Sequence, residues 1–219
     1  MDLTEDNLDL KKVRQKIGLV FQYPEHQLFE ETIYEDIAFG PKNLGLSASE
    51  IDKRVREALE LVELNFADFK DRSPFNLSGG QQRRVAIAGV LAMSPDVLIL
   101  DEPSAGLDPQ GRDRLIELLY HLHQNYKMTI ILISHRMEEI ARLSSRVLVL
   151  DEGKLVMDDH PRKIFKQREK LRRLGLDLPE ITLVMSKLKK RGMNVRADLF
   201  SISEAKKEIL AELRSRKSC

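Results

Sequence analysis

Two adjacent carboxylates, Asp101 and Glu102, end the apolar run Val97-Leu-Ile-Leu100, which begins sixteen residues after the end of Leu77-Ser-Gly-Gly-Gln81. Neighbouring side chains of a strand point to opposite faces. One acid can therefore hold a water-shelled Mg²⁺ while the other faces a reacting water. The upstream run places a Ser and two Gly at a helix start. Unpaired N–H groups and the helix dipole suit such a spot to a phosphate. Together the two runs describe half of a site for hydrolysing a nucleoside triphosphate. The other half would be G-x-x-x-x-G-K-[ST], whose backbone cradles phosphates. No such run occurs in these 219 residues: the only Gly-Lys pair, Gly153-Lys154, is followed by Leu155 and has Leu148 where the first Gly belongs.

Adjacent acids are common, and the chain carries its own control. Asp151-Glu152 also end an apolar strand, Val147–Leu150, but Gly153 follows and a hairpin turn is expected there. Asp108, downstream of the first pair, sits before Pro109 at a predicted helix start. His135 directly follows a predicted strand, Met128–Ile133, and Gln22 ends another, Lys16–Phe21. Parallel α/β proteins bind ligands at the C-terminal edge of the sheet, and Asp101-Glu102, His135 and Gln22 fall there. A lone strand-end His or Gln is more often structural. His26, His121, His123 and His160 have no comparable placement, and Met93, Met128 and Met137 fit core or helix-end positions.

The elements that must position these residues alternate. After the first strand, helices are predicted over 32–38, stopping near Gly40-Pro41, over 49–64 with Ile51, Val55, Ala58, Leu59 and Val62 on one face, and over 78–93. The carboxylate strand follows, then a turn from Pro103 to Asp108 and a helix over 109–126. The strand over 128–133, a helix over 136–142 and two short strands, 146–150 and 155–157, complete the pattern. Strands alternating with helices indicate an α/β fold with a parallel sheet and crossover connections. The block from about 25 to 93 reads as an inserted helical subdomain. Residues 160–219 read as a small helical C-terminal domain broken at Gly175, Pro179 and Gly192.

Composition excludes several classes. With 42% hydrophobic residues a real core is available, yet no apolar run approaches the eighteen residues of a membrane span. The start, Asp2-Leu-Thr-Glu-Asp6, does not resemble a secretion signal, and the single Cys219 forms no internal disulfide and suits a reducing compartment. Net charge is +1, but residues 160–219 hold 17 basic and 7 acidic side chains. That tail could face an anionic membrane or nucleic acid, or simply form a solvated helical face. It lacks aromatic interleaving for bases, because Phe165 and Phe200 are its only aromatics.

In their order and spacing Gln22, Leu77–Gln81, Val97–Glu102, Ser104-Ala-Gly-Leu-Asp108 and His135 resemble the ATP-binding cassette (ABC) ATPases over residues 15–158. Leu-Ser-Gly-Gly-Gln is the most specific of these signals. A narrower resemblance is carried by Phe21–Thr32, Phe39-Gly-Pro41 and Ser73–Met93. These look like the ATPase subunits of energy-coupling factor (ECF) transporters, A′-type, and Gly175–Pro179 is similar to their C-terminal segment.

The resemblance implies a P-loop NTPase-like core over 1–159, N-terminally truncated and lacking the phosphate loop (Walker A), with an ECF-type C-terminal domain over 160–219. It implies ATP and Mg²⁺ as cofactors. Asp101 would hold the metal shell, Glu102 would polarise the attacking water and His135 would contact the γ-phosphate. Gln22 would touch the metal and link the site to a membrane partner. Ser78, Gly79, Gly80 and Gln81 would bind an ATP seated on an opposing subunit, and Asp108 would lie across that dimer interface. The implied partners are a second ECF ATPase, a transmembrane coupling subunit and a substrate-binding membrane subunit, with no nucleic acid. The implied place is the cytoplasmic face of the cell membrane, where the assembly would import vitamins or transition-metal ions. Without a phosphate loop, this chain alone is expected not to hold ATP tightly or to turn it over. Two alternatives stand beside this reading: a non-catalytic subunit lending Leu77–Gln81 to a partner ATPase, and a soluble ABC ATPase acting on nucleic acid.

Overall fold

The computed structural model describes Thr4 and residues 9–217; Cys219 and most of the acidic start lie outside the described residues. The chain divides into two compact units, 1–133 and 134–219.

The first unit is built on three parallel strands in the order β1 (Ile17–Val20), β2 (Val97–Asp101), β3 (Thr129–Ile133), with Val20 beside Leu100 and Asp101 beside Ile133. Between β1 and β2 every described element is helical: α2 (Ile33–Asn43), α3 (Ala48–Leu61), α4 (Phe66–Phe69) and α5 (Gly79–Leu91). A further helix, α1 (Leu10–Lys16), precedes β1. Asp9 caps it, accepting from the N–H groups of Lys11 and Lys12. From β2 the chain turns into α6 (Pro109–Tyr126) and returns along β3, the crossover that parallel strands require.

Local chemistry accounts for these boundaries. In α3 the Ser47 hydroxyl accepts from Glu50 N–H while the Glu50 carboxylate accepts from Ser47 N–H, a capping box that satisfies two donors at once. Its expected face, Ile51, Val55, Ala58, Leu59 and Val62, is buried throughout. Helix α2 runs past Gly40-Pro41, one turn longer than the sequence suggests. Pro41 forgoes a backbone donor, but its ring is buried with Ile33, Ile37 and Ala38, and α2 packs on α3 and α5. At Gly18 the strand meets α5 so closely that a Cβ would lie 2.5 Å from Val90 Cγ1. A side chain there would push strand and helix apart.

Register decides what the sheet buries. Gly18 pairs with Leu98, and Val20 with Leu100; Val20, Leu98 and Leu100 are fully buried. On the opposite face, Leu19, Ile131 and Ile133 are exposed and Ile99 is half-buried. Parallel strands are usually covered on both sides and read as continuous apolar runs for that reason. The run Met128–Ile133 has that composition, yet within its unit only one face is packed.

The second unit opens with α7 (Met137–Leu143) and an antiparallel hairpin, β4 (Val147–Asp151) and β5 (Lys154–Asp159). Its two-residue turn, Glu152-Gly153, has positive φ at both positions (46° and 75°), the geometry that matches the twist of paired strands. Helices α8 (Pro161–Ile164), α9 (Arg168–Arg173), α10 (Glu180–Lys190) and α11 (Ile202–Lys217) follow. Met185, Val195, Leu199 and Ala205 form a core there, with Ile181, Leu188, Met193 and Ile209 packed around it. The breaks expected at Gly175, Pro179 and Gly192 fall between helices, with Gly175 and Gly192 at φ 72° and 86°.

Candidate functional site

Ser78 is the N-cap of α5. Its hydroxyl accepts from Gln81 N–H, and Gln81 Oε1 accepts from both the N–H and the O–H of Ser78. The signature run therefore closes its own helix start with its first and last polar residues. Gly79 and Gly80 sit exposed between them, and a Cβ at either would meet nothing within 4 Å. The start of this 13-residue helix is thus unobstructed beside both glycines, as an anion approaching its first N–H groups requires.

Asp108 caps α6, accepting from Gly111 N–H at 2.9 Å, with Pro109 in the first helical position. A Cβ at Gly111 would lie 2.7 Å from Asp108 Oδ1, so a side chain there would displace the capping carboxylate. The two helix starts share one cleft of about 690 Å³, lined by Ser78, Gly80, Gln81, Asp108 and Gly111. Neither Asp101, Glu102 nor Gln22 lines it.

Those three residues stand elsewhere, at the C-terminal edge of the sheet. The parallel register brings the ends of β1, β2 and β3 to one side. Gln22 lies exposed two residues past β1, and Asp101 ends β2. Glu102 donates its N–H to Ile133 O at 2.9 Å and adopts φ 46°, a left-handed backbone uncommon for a residue with a side chain. Such strain costs on the order of 1–3 kcal/mol and persists where the surroundings enforce it. One oxygen of the Glu102 carboxylate, Oε2, is buried. The Asp151-Glu152 control has the same φ at Glu152, but both acids are exposed and Gly153 completes a hairpin. Identical backbone, different surroundings: the first pair sits half-buried at a parallel-sheet edge, the second on a loop tip.

His135, in the second unit, is exposed two residues past β3. Its short link is fixed locally, since Ser134 Oγ accepts from Arg136 N–H and donates to the buried Glu139. Among the described residues there is no group of three or more His, Cys, Asp or Glu able to hold a metal. Mg²⁺ is usually held by one or two carboxylates with waters and substrate phosphates, and the half-buried Asp101 and Glu102 are donors of that kind.

Sequence reasoning assigned no role to Glu25 or Arg83, which the fold pairs, Arg83 buried and Glu25 half-buried. Arg83 Nε and Nη2 donate to the two Glu25 carboxylate oxygens at 3.2 and 3.0 Å. Burial opposes ionisation of Glu25, but the Arg83 hydrogen bonds outweigh it and hold the carboxyl below its ordinary 4.5. A depressed acid stabilises the fold above the ordinary value, and that contribution is lost as pH falls through the lower folded value. The urea midpoint of Glu25→Gln should accordingly change less than that of the parent between about pH 6 and about pH 3. Asp36 has the opposite sign: burial raises its pKa although it accepts from the N–H groups of Phe29 and Glu30.

With this geometry in view, the similarities to known proteins are specific. Residues 2–105 match the profile of the ABC transporter family. The chain is 53% identical over 210 residues to the energy-coupling factor transporter ATP-binding protein EcfA2 of Clostridium tetani, covering 96% of this chain and 73% of that one. It is 51% identical over 219 residues to the EcfA2 of Clostridioides difficile, covering all of this chain and 76% of that one. Among solved structures, cbiO1 from Clostridium perfringens, part of the ABC transporter complex cbiONQ, superposes with a TM-score of 0.66 at 41% identity, covering 80% of this chain and 69% of that one. The ATP-binding cassette MJ0796, as a dimer in a post-hydrolysis state with ADP and Pi, superposes at 0.61 and 30% identity, covering 72% and 69%. Two helix starts on one cleft, two acids at a separate sheet edge and identity of about half over nearly the whole chain place this protein in the ABC transporter family, among the energy-coupling factor transporter ATP-binding proteins.

Proposed function

We propose that this chain is an ATP-hydrolysing subunit of an ECF-type importer that takes up vitamins or transition-metal ions. It would work as one half of an ATPase pair, against a transmembrane coupling subunit and a substrate-binding membrane subunit. The observation that carries the reading is the separation of two half-sites on one unit. Ser78, Gly80, Gln81 and Asp108 share a cleft, whereas Gln22, Asp101 and Glu102 sit at the sheet edge outside it. Half-sites on separate surfaces are completed by a second cassette, so that each nucleotide lies between two chains.

In that assembly Mg-ATP, when bound, supplies the γ-phosphoryl group. Asp101 and Gln22 would hold the metal, which would supply positive charge against the phosphate oxygens. Glu102 orients the attacking water and takes its proton, and His135 donates to the γ-phosphate. Ser78, Gly79, Gly80 and Gln81 offer donors to the nucleotide of the opposing subunit, and Asp108 lies at the interface between the two. Catalysis is mainly positioning and charge stabilisation. The ATPase domain spans 1–159 with its helical subdomain at about 25–93, and 160–219 forms the C-terminal domain that helps pair the ATPases.

No helix among the described residues is long and apolar enough to cross a membrane. We place the subunit peripherally, on the cytoplasmic face of the cell membrane, held by its partners. The segment from Gln22 to about Gly40 is the surface for the coupling subunit: Phe21, Tyr23, Phe29 and Phe39 are exposed there, and Phe29 and Phe39 meet edge-to-face at 4.9 Å. Exposed aromatic clusters of this kind mark protein contacts.

Tagged chain recovered from detergent-solubilised membranes is expected to bring down a second ATPase and integral membrane subunits. Recovery with nucleic acid alone would sink the reading in favour of the soluble alternative. In a binding titration, these 219 residues alone should hold Mg-ATP far more weakly than micromolar, since no G-x-x-x-x-G-K-[ST] cradle is present; micromolar affinity would contradict that part.

A further inference from the structure

We propose that Arg83 is a positioning residue that ties the loop after Gln22 to the turn after Asp101-Glu102, so that displacement of the loop is passed to that turn through one guanidinium.

Arg83 is the fifth residue of α5, the helix that the signature run begins, and only 5% of it is exposed. Its Nε and Nη2 fork onto the Glu25 carboxylate at 3.2 and 3.0 Å. Its Nη1 donates to the carbonyls of Pro103 and Ala105, at 3.0 and 2.5 Å. Glu25 lies in the single 3-10 turn Pro24–Gln27, three residues beyond Gln22, and that turn packs on α5. Pro103 and Ala105 open the turn that runs from Glu102 to the Asp108 cap. One planar group on α5 thus bonds two segments far apart in sequence.

Geometry makes this a relay rather than a local brace. A guanidinium is flat, with donors in a fixed fork, so tilting the edge held by Glu25 must swing the edge that holds the two carbonyls. A Lys at this position would present one small head that can turn freely and would transmit far less. The bonds are charge-assisted and largely shielded from water, so neither end is easily replaced by solvent. Within the turn the N–H of Ala105 bonds Glu102 O and the N–H of Leu107 bonds Ser104 O, each at 3.1 Å and each local. The two carbonyl bonds from Arg83 tie the turn to α5. The proposal rests on the functional reading above only for what displaces the loop, a membrane partner bound at its exposed aromatics.

Hydrogen–deuterium exchange on the 219-residue chain tests it without any partner. Glu25→Ala removes the loop anchor yet touches no atom of the turn. The relay predicts that the amides of Ala105 and Leu107 then exchange about tenfold faster, the scale of one lost charge-assisted hydrogen bond. Amides of Val55 to Leu59 in α3 should be unchanged. Faster exchange confined to 24–28, with Ala105 and Leu107 within about twofold of the parent, would overturn the proposal. A purely structural Arg83 gives that second pattern. Should Glu25→Ala unfold, Arg83→Lys keeps the charge but not the fork, and must loosen both the 24–28 loop and the 105–107 turn together. Loosening of one without the other overturns the relay. If the chain binds no membrane partner, the functional reading fails while the exchange result still decides this one.

Discussion

In an ATPase pair where a G-x-x-x-x-G-K-[ST] cradle holds the nucleotide beside Glu102, replacing Glu102 by Gln is expected to lower ATP turnover by about 10²- to 10⁴-fold, the range that a positioned general base contributes. Gln keeps the size and one acceptor of the side chain but cannot take a proton from water. Binding should survive, because the phosphate contacts lie on other residues. The left-handed backbone at position 102 is set by the N–H bond to Ile133 O and the turn that follows. It should tolerate Gln as well as Glu. Glu152→Gln, with the same φ at an exposed hairpin tip, is the matched control and should leave turnover unchanged. Steady-state phosphate release for the two variants, with nucleotide binding measured in parallel, is the check. Equal losses at both positions would mean that the α/β edge is not the reacting site.

That comparison also shows where sequence was informative. Two acids after an apolar run occur twice, and the feature separating them was already visible: Gly153 after one, Pro103 after the other. Two capping residues were equally plain. The starts at Ser78 and after Asp108 were read from sequence, and both residues cap their helices in the fold, whereas the start of α3 was placed at 49, two residues past its Ser47 cap. Helix α2 was misjudged because Gly40-Pro41 is a local stop signal, whereas burial against α5 is a tertiary gain no window of sequence contains. The same limit hid Arg83 and Glu25. They are 58 residues apart, in a charge-rich chain where either could have been a solvated surface side chain. The two-sided apolar composition of Met128–Ile133 told of a buried strand, but not which of its faces α-helices of the same unit would cover.

The sharpest separation of function from stability lies at Gly80. Aspartate there is expected to leave folding intact or to strengthen it, while cutting turnover of the ATPase pair by at least about 10²-fold, the effect of losing a preorganised donor site. Both halves follow from the same helix start. A Cβ at Gly80 meets no atom within 4 Å, so no packing is disturbed. Gly80 is the second residue of α5, where an acid replaces the costliest non-proline helix former and complements the dipole by about 0.3–1 kcal/mol. Yet the charge that steadies the helix stands where an incoming phosphate would have to sit. Its repulsion would act in a cleft already walled by Asp108. The Ser78–Gln81 capping box, made within the chain, does not depend on Gly80 and should persist. Thermal unfolding and phosphate release, measured on one preparation, should thus move in opposite directions. If Gly80→Asp lowers the melting temperature and spares turnover, the bare N-terminus of α5 is a structural feature and not a phosphate seat.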